Sequence, residues 1–102
     1  MYVERTSYWA QPGKAEAVLG VRRRASQIRG RLGLPAGTIF VKASDASDGP
    51  DVQWECRFDA LEEQTRDLTA RDASPDFQRI REEMRALIER FERHCVRQDV
   101  GS

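Results

Sequence analysis

The sequence predicts an α+β fold in which one four-stranded antiparallel sheet is covered by helices on a single face. Three observations support it: short segments with strand-like alternation, two longer segments with helical apolar spacing, and turn clusters between them. Their order along the chain is β-α-β-β-α-β. At 102 residues and 11.7 kDa the chain has the size of one domain, and residues 1–102 are predicted to form it.

The N-terminal segment predicts a strand followed by a long helix. Tyr2–Trp9 is rich in aromatic, β-branched and hydroxyl residues, and Gln11–Gly13 ends that strand. A helix is predicted from about Gly13 to Leu32, because apolar residues recur there every three or four positions. These are Val18, Val21, Ala25, Ile28 and Leu32. The arginines of this helix fall outside that apolar stripe and are expected to face water, namely Arg22, Arg23, Arg24 and Arg29.

The middle of the chain predicts a β-hairpin. Thr38–Ser44 is a short β-branched run, and Asp45–Pro50 is a strong turn cluster. Asp51–Asp59 then alternates between two sets of side chains. One set is Val52, Trp54, Cys56 and Phe58, and the other is Gln53, Glu55 and Arg57.

The C-terminal part predicts a helical region and a closing strand. Asp59–Glu62 resembles a capping box that opens a short helix to about Asp72. Ser74 followed by Pro75 is a second start signal. From there an apolar stripe predicts a helix from Asp76 to about His94, and Cys95–Val100 is predicted to be the fourth strand. The stripe contains Phe77, Ile80, Met84, Leu87, Ile88 and Phe91.

This element order suits a split βαβ sandwich, the ferredoxin-like arrangement, with strand order 4-1-3-2. Strand one would then separate Cys56 from Cys95 by two strand spacings, about 9.5 Å, which exceeds the reach of a disulfide. Both thiols are therefore predicted to be reduced and packed. The first residues also lack the basic and apolar segments of a signal peptide, so a cytoplasmic location is expected.

Composition disfavours several classes of function. Residues 1–42 carry eight basic and two acidic side chains, a charge of +6 that the remainder balances with −6. Because these basic residues lie in a periodic helix, a solvated face or contacts between subunits are favoured over nucleic-acid binding. The single histidine, His94, and two unclustered cysteines predict no metal site, and no cofactor is expected. There is no membrane-length apolar run, nucleophile elbow or Gly-rich phosphate loop.

Several residues carry a family resemblance. Glu4, Tyr8 and Gln11-Pro12-Gly13-Lys14 at the first strand–helix junction resemble the dimeric α+β barrel superfamily. Trp54–Asp59, followed by Ser74–Phe77, is most similar to its NIPSNAP branch, with antibiotic-biosynthesis monooxygenases as a related branch. The likeness covers nearly the whole chain, and its motifs are packing and turn signatures rather than catalytic ones.

The resemblance implies a homodimer whose two sheets face each other and enclose a small-molecule pocket. This chain also departs from the superfamily's pattern at positions that bear on its chemistry. Cofactor-free and haem-degrading monooxygenases of this superfamily typically use an Asn with a Trp, and this chain has no Asn. The NIPSNAP branch usually carries an Arg two residues before the first-strand Tyr, where this chain has Thr6. His94 is predicted to lie at a helix end, where its charge would favour the helix dipole.

The candidate pocket residues are aromatic and polar side chains of the strands. Trp9 and Trp54 are predicted to lie near one another, either as a ligand-stacking pair or as core or interface packing. Glu55 and Arg57 are either a general base and anion clamp or an ion pair inside a dimer interface. The full candidate set is Tyr8, Trp9, Gln53, Trp54, Glu55 and Arg57. No catalytic residue is assigned.

Three functions remain open from the sequence. The first is a small-molecule-binding homodimeric α+β barrel protein of the NIPSNAP-like type. The second is a cofactor-free monooxygenase or isomerase-type enzyme acting on an aromatic or polyketide-like compound. The third is a structural or regulatory dimer whose cavity is filled by its own side chains. A pocket of several hundred Å³ lined by Glu55, Arg57 and aromatic side chains would favour the first two, and a packed lumen would favour the third.

Overall fold

The computed structural model describes residues 1–101. Its strands are β1 (Tyr2–Ala10), β2 (Thr38–Val41), β3 (Val52–Phe58) and β4 (Ile88–Arg97), and its helices are α1 (Ala15–Arg31), α2 (Leu61–Asp72) and α3 (Pro75–Arg85). The strands form one sheet in the order β2-β3-β1-β4, and every pairing is antiparallel. This confirms the predicted ferredoxin-like arrangement and strand order.

The strand register divides the side chains between two faces of the sheet. Thr6 lies opposite Trp54 on β3 and Arg93 on β4, and Tyr8 lies opposite Val52 and Phe91. This face, which we call the covered face, packs against the helices. The other, open face lies under no described element, and the molecule is only 18 Å thick along its shortest axis, as expected for two layers.

The core lies between the covered face and the helices. α1 and α3 pack together over its larger part, which comprises Tyr8, Val18, Leu19, Val21, Ala25, Ile28, Val52, Phe77, Ile80 and Met84. A smaller cluster of Trp54, Cys56 and Phe58 continues along β3. The predicted alternation of β3 is confirmed, because all three side chains and Val52 are buried on one face.

The last helix is shorter than the sequence predicted. α3 ends at Arg85, and the Leu87 N–H donates to the Met84 carbonyl in a final tight turn. Ile88 then starts β4, which pairs with β1 from Tyr2 to Ala10. Backbone pairing along the whole of β1 outweighs the helical spacing of the apolar residues, so the prediction of helix up to His94 is wrong.

The predicted helix starts are confirmed at α3 and in part at α2. The Ser74 hydroxyl accepts from the Phe77 N–H at 3.1 Å, with Pro75 at the first helical position. At α2 the Asp59 side chain does not cap the helix. Instead Glu63, rather than Glu62, accepts from the Asp59 N–H at 3.3 Å. Across the described residues, every helix is too short or too polar to cross a membrane.

Candidate functional site

A cavity of about 430 Å³ lies between the covered face of the sheet and helices α1 and α3. Its inner wall comes from β1 and α1, and exposed residues of α3 and β4 form its mouth. The lining residues are Thr6, Tyr8, Val21, Arg22, Ala25, Arg71, Phe77, Ile80, Arg81, Met84, Arg85, Ile88, Phe91 and Arg93. The cavity is thus apolar along its helices and basic at both ends.

The polar part of the inner wall is an arginine–tyrosine pair. Arg22 Nη1 donates to the Tyr8 Oη at 3.1 Å, and both side chains are buried. Tyr8 also packs edge-on against Phe91, with ring centroids 5.6 Å apart. The phenol therefore joins the buried end of the cavity to its mouth.

Behind this wall the Trp54 indole holds two guanidinium groups. The Arg22 and Arg29 guanidinium carbons lie 4.7 Å and 4.6 Å from the indole centroid. Trp54 Nε1 donates to the Ala36 carbonyl at 2.9 Å. Gly37 must be glycine here, because its φ is +73° and a Cβ would lie 2.4 Å from Trp54 Nε1. The indole is fixed as a platform for two cations.

A buried ionic cluster connects α1, α2 and β1 beside this platform. Arg29 makes two hydrogen bonds to Asp67, at 2.9 Å and 2.7 Å, and its Nε donates to the Pro35 carbonyl at 2.7 Å. Arg71 makes two bonds of 2.9 Å to Glu4, and its Nε lies 2.9 Å from Asp67 Oδ1. These four charged groups form a compensated network, which we call the paired cluster.

Burial and charged partners act in opposite directions on the pKa values of Glu4 and Arg71. Burial alone raises the pKa of Glu4, but the hydrogen bonds and charge of Arg71, with a bond from Gln64, outweigh it and hold that pKa below 4.5. Burial lowers the pKa of Arg71, and Glu4 and Asp67 more than offset this. Burial raises the pKa of the neighbouring Cys56 thiol. The Glu4–Arg71 contact is therefore held as an ion pair at neutral pH.

The other predicted site residues lie on the open face. Glu55 pairs with Arg5, with its Oε1 2.8 Å from Arg5 Nε, and Gln53 Nε2 donates to the Ser7 hydroxyl at 3.2 Å. Arg57 alternates with Gln53 and Glu55 along β3 and is exposed. The Arg90 guanidinium stacks on Trp9, 4.2 Å from the ring centroid. This face holds partly exposed polar pairs.

The structure brings only part of the predicted set together. Tyr8 lines the cavity and Trp54 lies behind its wall, whereas Trp9, Gln53, Glu55 and Arg57 lie on the opposite face. The prediction that Trp9 and Trp54 lie near one another is wrong, since β1 register places them on different faces. Whether any of the six contacts a ligand stays a prediction.

Two of the arginines predicted to face water are buried. Arg22 is 5% exposed and Arg29 is inaccessible, whereas Arg23 and Arg24 are exposed as predicted. The missed signal is their spacing: Val18, Arg22, Ala25 and Arg29 follow one another at intervals of four, three and four residues. They therefore share a helix face with the apolar stripe.

His94 and the cysteines also differ from expectation in part. His94 lies on β4 opposite Arg5, in a strand rather than at a helix end. Both cysteines pair with Glu4 from opposite sides and are free, as predicted, but Cys95 is exposed rather than packed. Within residues 1–101 no three His, Cys, Asp or Glu side chains are grouped to hold a metal ion.

Comparison with known proteins identifies the fold. No protein-family model matches the chain, and no curated protein matches it. Solved structures do match. An uncharacterised NIPSNAP domain protein from Burkholderia xenovorans has a TM-score of 0.75 at 16% identity, over 98% of this chain and 96% of that chain.

Two further structures share this fold. A protein of unknown function from Bacteroides fragilis, described as dimeric and ferredoxin-like, matches with a TM-score of 0.70 at 8% identity over 93% of each chain. An antibiotic biosynthesis monooxygenase matches with a TM-score of 0.66 at 17% identity over 98% of each chain. These likenesses establish a ferredoxin-like fold of the kind found in NIPSNAP and antibiotic-biosynthesis-monooxygenase structures.

Proposed function

We propose that this protein binds a small organic molecule in the cavity between its helices and its sheet. The cavity itself carries the proposal, because its volume of about 430 Å³ lies within the usual range of small-molecule sites in proteins. Its walls combine apolar helix residues with the Arg22–Tyr8 pair, which is the usual composition of a ligand site.

The test is binding of a bicyclic probe that fits such a cavity, with the cavity closed in one variant. 2-Naphthoate and its neutral analogue 2-naphthamide are titrated calorimetrically into the wild type. Ala25→Leu places extra atoms in the cavity wall, whereas Ala17→Leu adds the same atoms on the exposed side of the same helix. We expect Ala25→Leu to weaken binding at least about tenfold and Ala17→Leu to leave it unchanged. Failure of both probes to bind the wild type contradicts the proposal.

We further propose that two copies associate through their open sheet faces to form a dimeric α+β barrel. The support is that this face lies under no described element and carries Trp9, Phe40 and Val96, of which Phe40 is 46% exposed. The charged pairs on the face would serve as its polar contacts. The structural relative from Bacteroides fragilis is itself described as dimeric.

Native mass spectrometry tests the dimer. The wild type is expected at twice 11.7 kDa. Val96→Glu puts a charge on the open face and is expected to yield monomer, whereas Val100→Glu, beyond β4, retains the dimer. A monomeric wild type contradicts the shared barrel.

The enzymatic alternative has one supporting feature. A guanidinium behind a phenol is a suitable donor pair for an oxyanion, so a bound enolate or phenolate would be stabilised at the inner wall. Any small molecule released from purified protein is returned to fresh protein and recovered. Recovery of the same compound, by both mass and chromatographic retention, supports binding alone, and conversion to a different compound, isomers included, supports an enzyme.

The proposed location is the cytoplasm, without a nucleic-acid partner. Cys56 and Cys95 are free thiols on the two strands that flank Glu4, which suits a reducing compartment. Two of the basic residues in the positive N-terminal part, Arg22 and Arg29, are enclosed in the fold and unable to contact a phosphate backbone. A thiol count on protein taken directly from cells, without reductant, tests the compartment.

A further inference from the structure

The charge of the cavity is strongly one-sided. Five of its lining residues are arginines, and none of its described lining residues is Asp or Glu. Arg71 is neutralised by Glu4 and Asp67, and Arg81 by Asp72 at 2.7 Å. Within residues 1–101 the other three, Arg22, Arg85 and Arg93, form no ion pair. The cavity therefore has a positive excess that the described residues leave unneutralised.

Arg22 is the most informative of these three. It is 95% buried, its Nη1 donates to Tyr8, and its Nε and Nη2 have no hydrogen-bond partner among the described residues. Burial lowers the pKa of Arg22, and the nearby cations Arg29 and Arg71 act in the same direction. A guanidinium nevertheless remains charged in proteins. A buried charge with unused donors is costly unless an opposite charge approaches it.

Tyr8 extends the reach of this charge into the cavity. Its oxygen accepts from Arg22, so its own O–H is free to donate, and Tyr8 lines the cavity wall. Thr6, two residues earlier on the same face, adds a second hydroxyl, and Arg93 lies opposite Thr6 on β4. Hydroxyl donors backed by cations on both sides favour a negatively charged oxygen.

The remaining wall is apolar and suits a hydrocarbon body. It consists of Val21, Ala25, Phe77, Ile80, Met84, Ile88 and Phe91. Extending the proposed binding function, on which this inference rests, we propose that the ligand is an organic carboxylate with an apolar, ring-sized body. Its carboxylate lies against Tyr8, Thr6 and the charges of Arg22 and Arg93, and its body lies along α3.

The test compares the two probes already named, because they differ only at the headgroup. Wild-type protein is expected to bind 2-naphthoate at least about tenfold more tightly than 2-naphthamide. Arg22→Met keeps the length of the side chain and removes its charge, and it is expected to abolish this preference while 2-naphthamide still binds. Arg23→Met, the exposed neighbour on α1, is the matched control and is expected to retain the preference.

Each outcome separates the inference from the proposed function. Equal wild-type affinity for the two probes overturns the carboxylate assignment and leaves the cavity function standing. A preference that survives in Arg22→Met also overturns it, since the charge would then act elsewhere. If Arg22→Met does not fold, Arg93→Met at the exposed mouth replaces it. That variant is expected to weaken 2-naphthoate about threefold or more without weakening 2-naphthamide. Unchanged 2-naphthoate affinity there contradicts the assignment.

Discussion

Arg29 and Arg22 lie on one helix, stack on one indole and differ in their partners. Both guanidinium carbons are within 4.7 Å of the Trp54 centroid. Arg29 has two bonds to Asp67 and one to the Pro35 carbonyl, whereas Arg22 has one bond, to the Tyr8 hydroxyl. The same residue type in nearly the same setting thus takes two roles. Arg29 connects elements of the fold, and Arg22 keeps two donor atoms that no described residue uses.

The different roles of Arg29 and Arg22 follow from the residues that each one contacts. Asp67 and Arg71 on α2 connect Arg29 on α1 to Glu4 on β1, so one network fixes three elements. Arg22 is not a member of that network, and it lines the cavity, whose described lining residues include no acid. Breaking the paired cluster should therefore affect stability, and altering Arg22 should affect binding.

The largest effect is expected from removing the acid at the centre of the paired cluster. Asp67→Ala leaves Arg29 buried without a counter-charge and leaves Arg71 with Glu4 as its acidic partner in the cluster. This loss is expected to lower the free energy of unfolding by about 3–5 kcal/mol. Urea denaturation followed by tryptophan fluorescence measures it.

Asp72→Ala provides the control on the same helix. Its ion pair with Arg81 is largely exposed, so its removal should cost less than about 1 kcal/mol. Equal losses for the two variants would contradict the structural role assigned to the paired cluster.

The second-largest expected effect is a dependence of the unfolding free energy on pH. Because the pKa of Glu4 is lower in the folded chain than in the unfolded one, its contribution is fully present above about pH 4.5. It is lost as the pH falls through the lower folded value. Unfolding free energy should therefore decline with acidification below about pH 5, and Glu4→Gln should flatten that part of the curve. An identical slope in both proteins would show that Glu4 is not the group responsible.

The smallest effect concerns the two thiols that flank Glu4. Cys95 is exposed and Cys56 is buried beside Arg29, so one thiol per chain should react with Ellman's reagent in native protein and the second after unfolding. Burial and the charge of Glu4 raise the pKa of Cys95, so Glu4→Gln should accelerate its reaction slightly. Two fast thiols in native protein would contradict the burial of Cys56.

The hairpin strands and several element boundaries could be predicted from the sequence, because side-chain alternation and turn residues are local signals. The faces of β3, the hairpin and the Ser74–Pro75 helix start are confirmed. Residues 88–94 of β4 were assigned to a helix, because Phe91 continues the spacing of Ile80, Met84 and Leu87, and only the end of the strand was predicted as such. Only pairing with β1, some eighty residues away, makes that segment a strand.

The site was predicted less completely, since it depends on contacts between distant elements. Tyr8 was found on the strand, but the open face was favoured for the pocket because it carries polar residues. The buried roles of Arg22 and Arg29 follow from Trp54 on β3 and Asp67 on α2. Neither partner is close in sequence. The available clue was that Arg22 and Arg29 lie three or four residues from Val18 and Ala25 of the apolar stripe.

Equilibrium unfolding of Arg29→Met and Arg22→Met, measured side by side in urea, tests this division most directly. The two variants make the same chemical change on the same helix, against the same indole. Arg29→Met is expected to lose about 3–5 kcal/mol because it leaves Asp67 with one fewer counter-charge in a buried site. Arg22→Met is expected to stay within about 1 kcal/mol of the wild type, since removing an unpaired buried charge offsets its lost contacts. Equal losses in both would contradict the account and make Arg22 a structural residue.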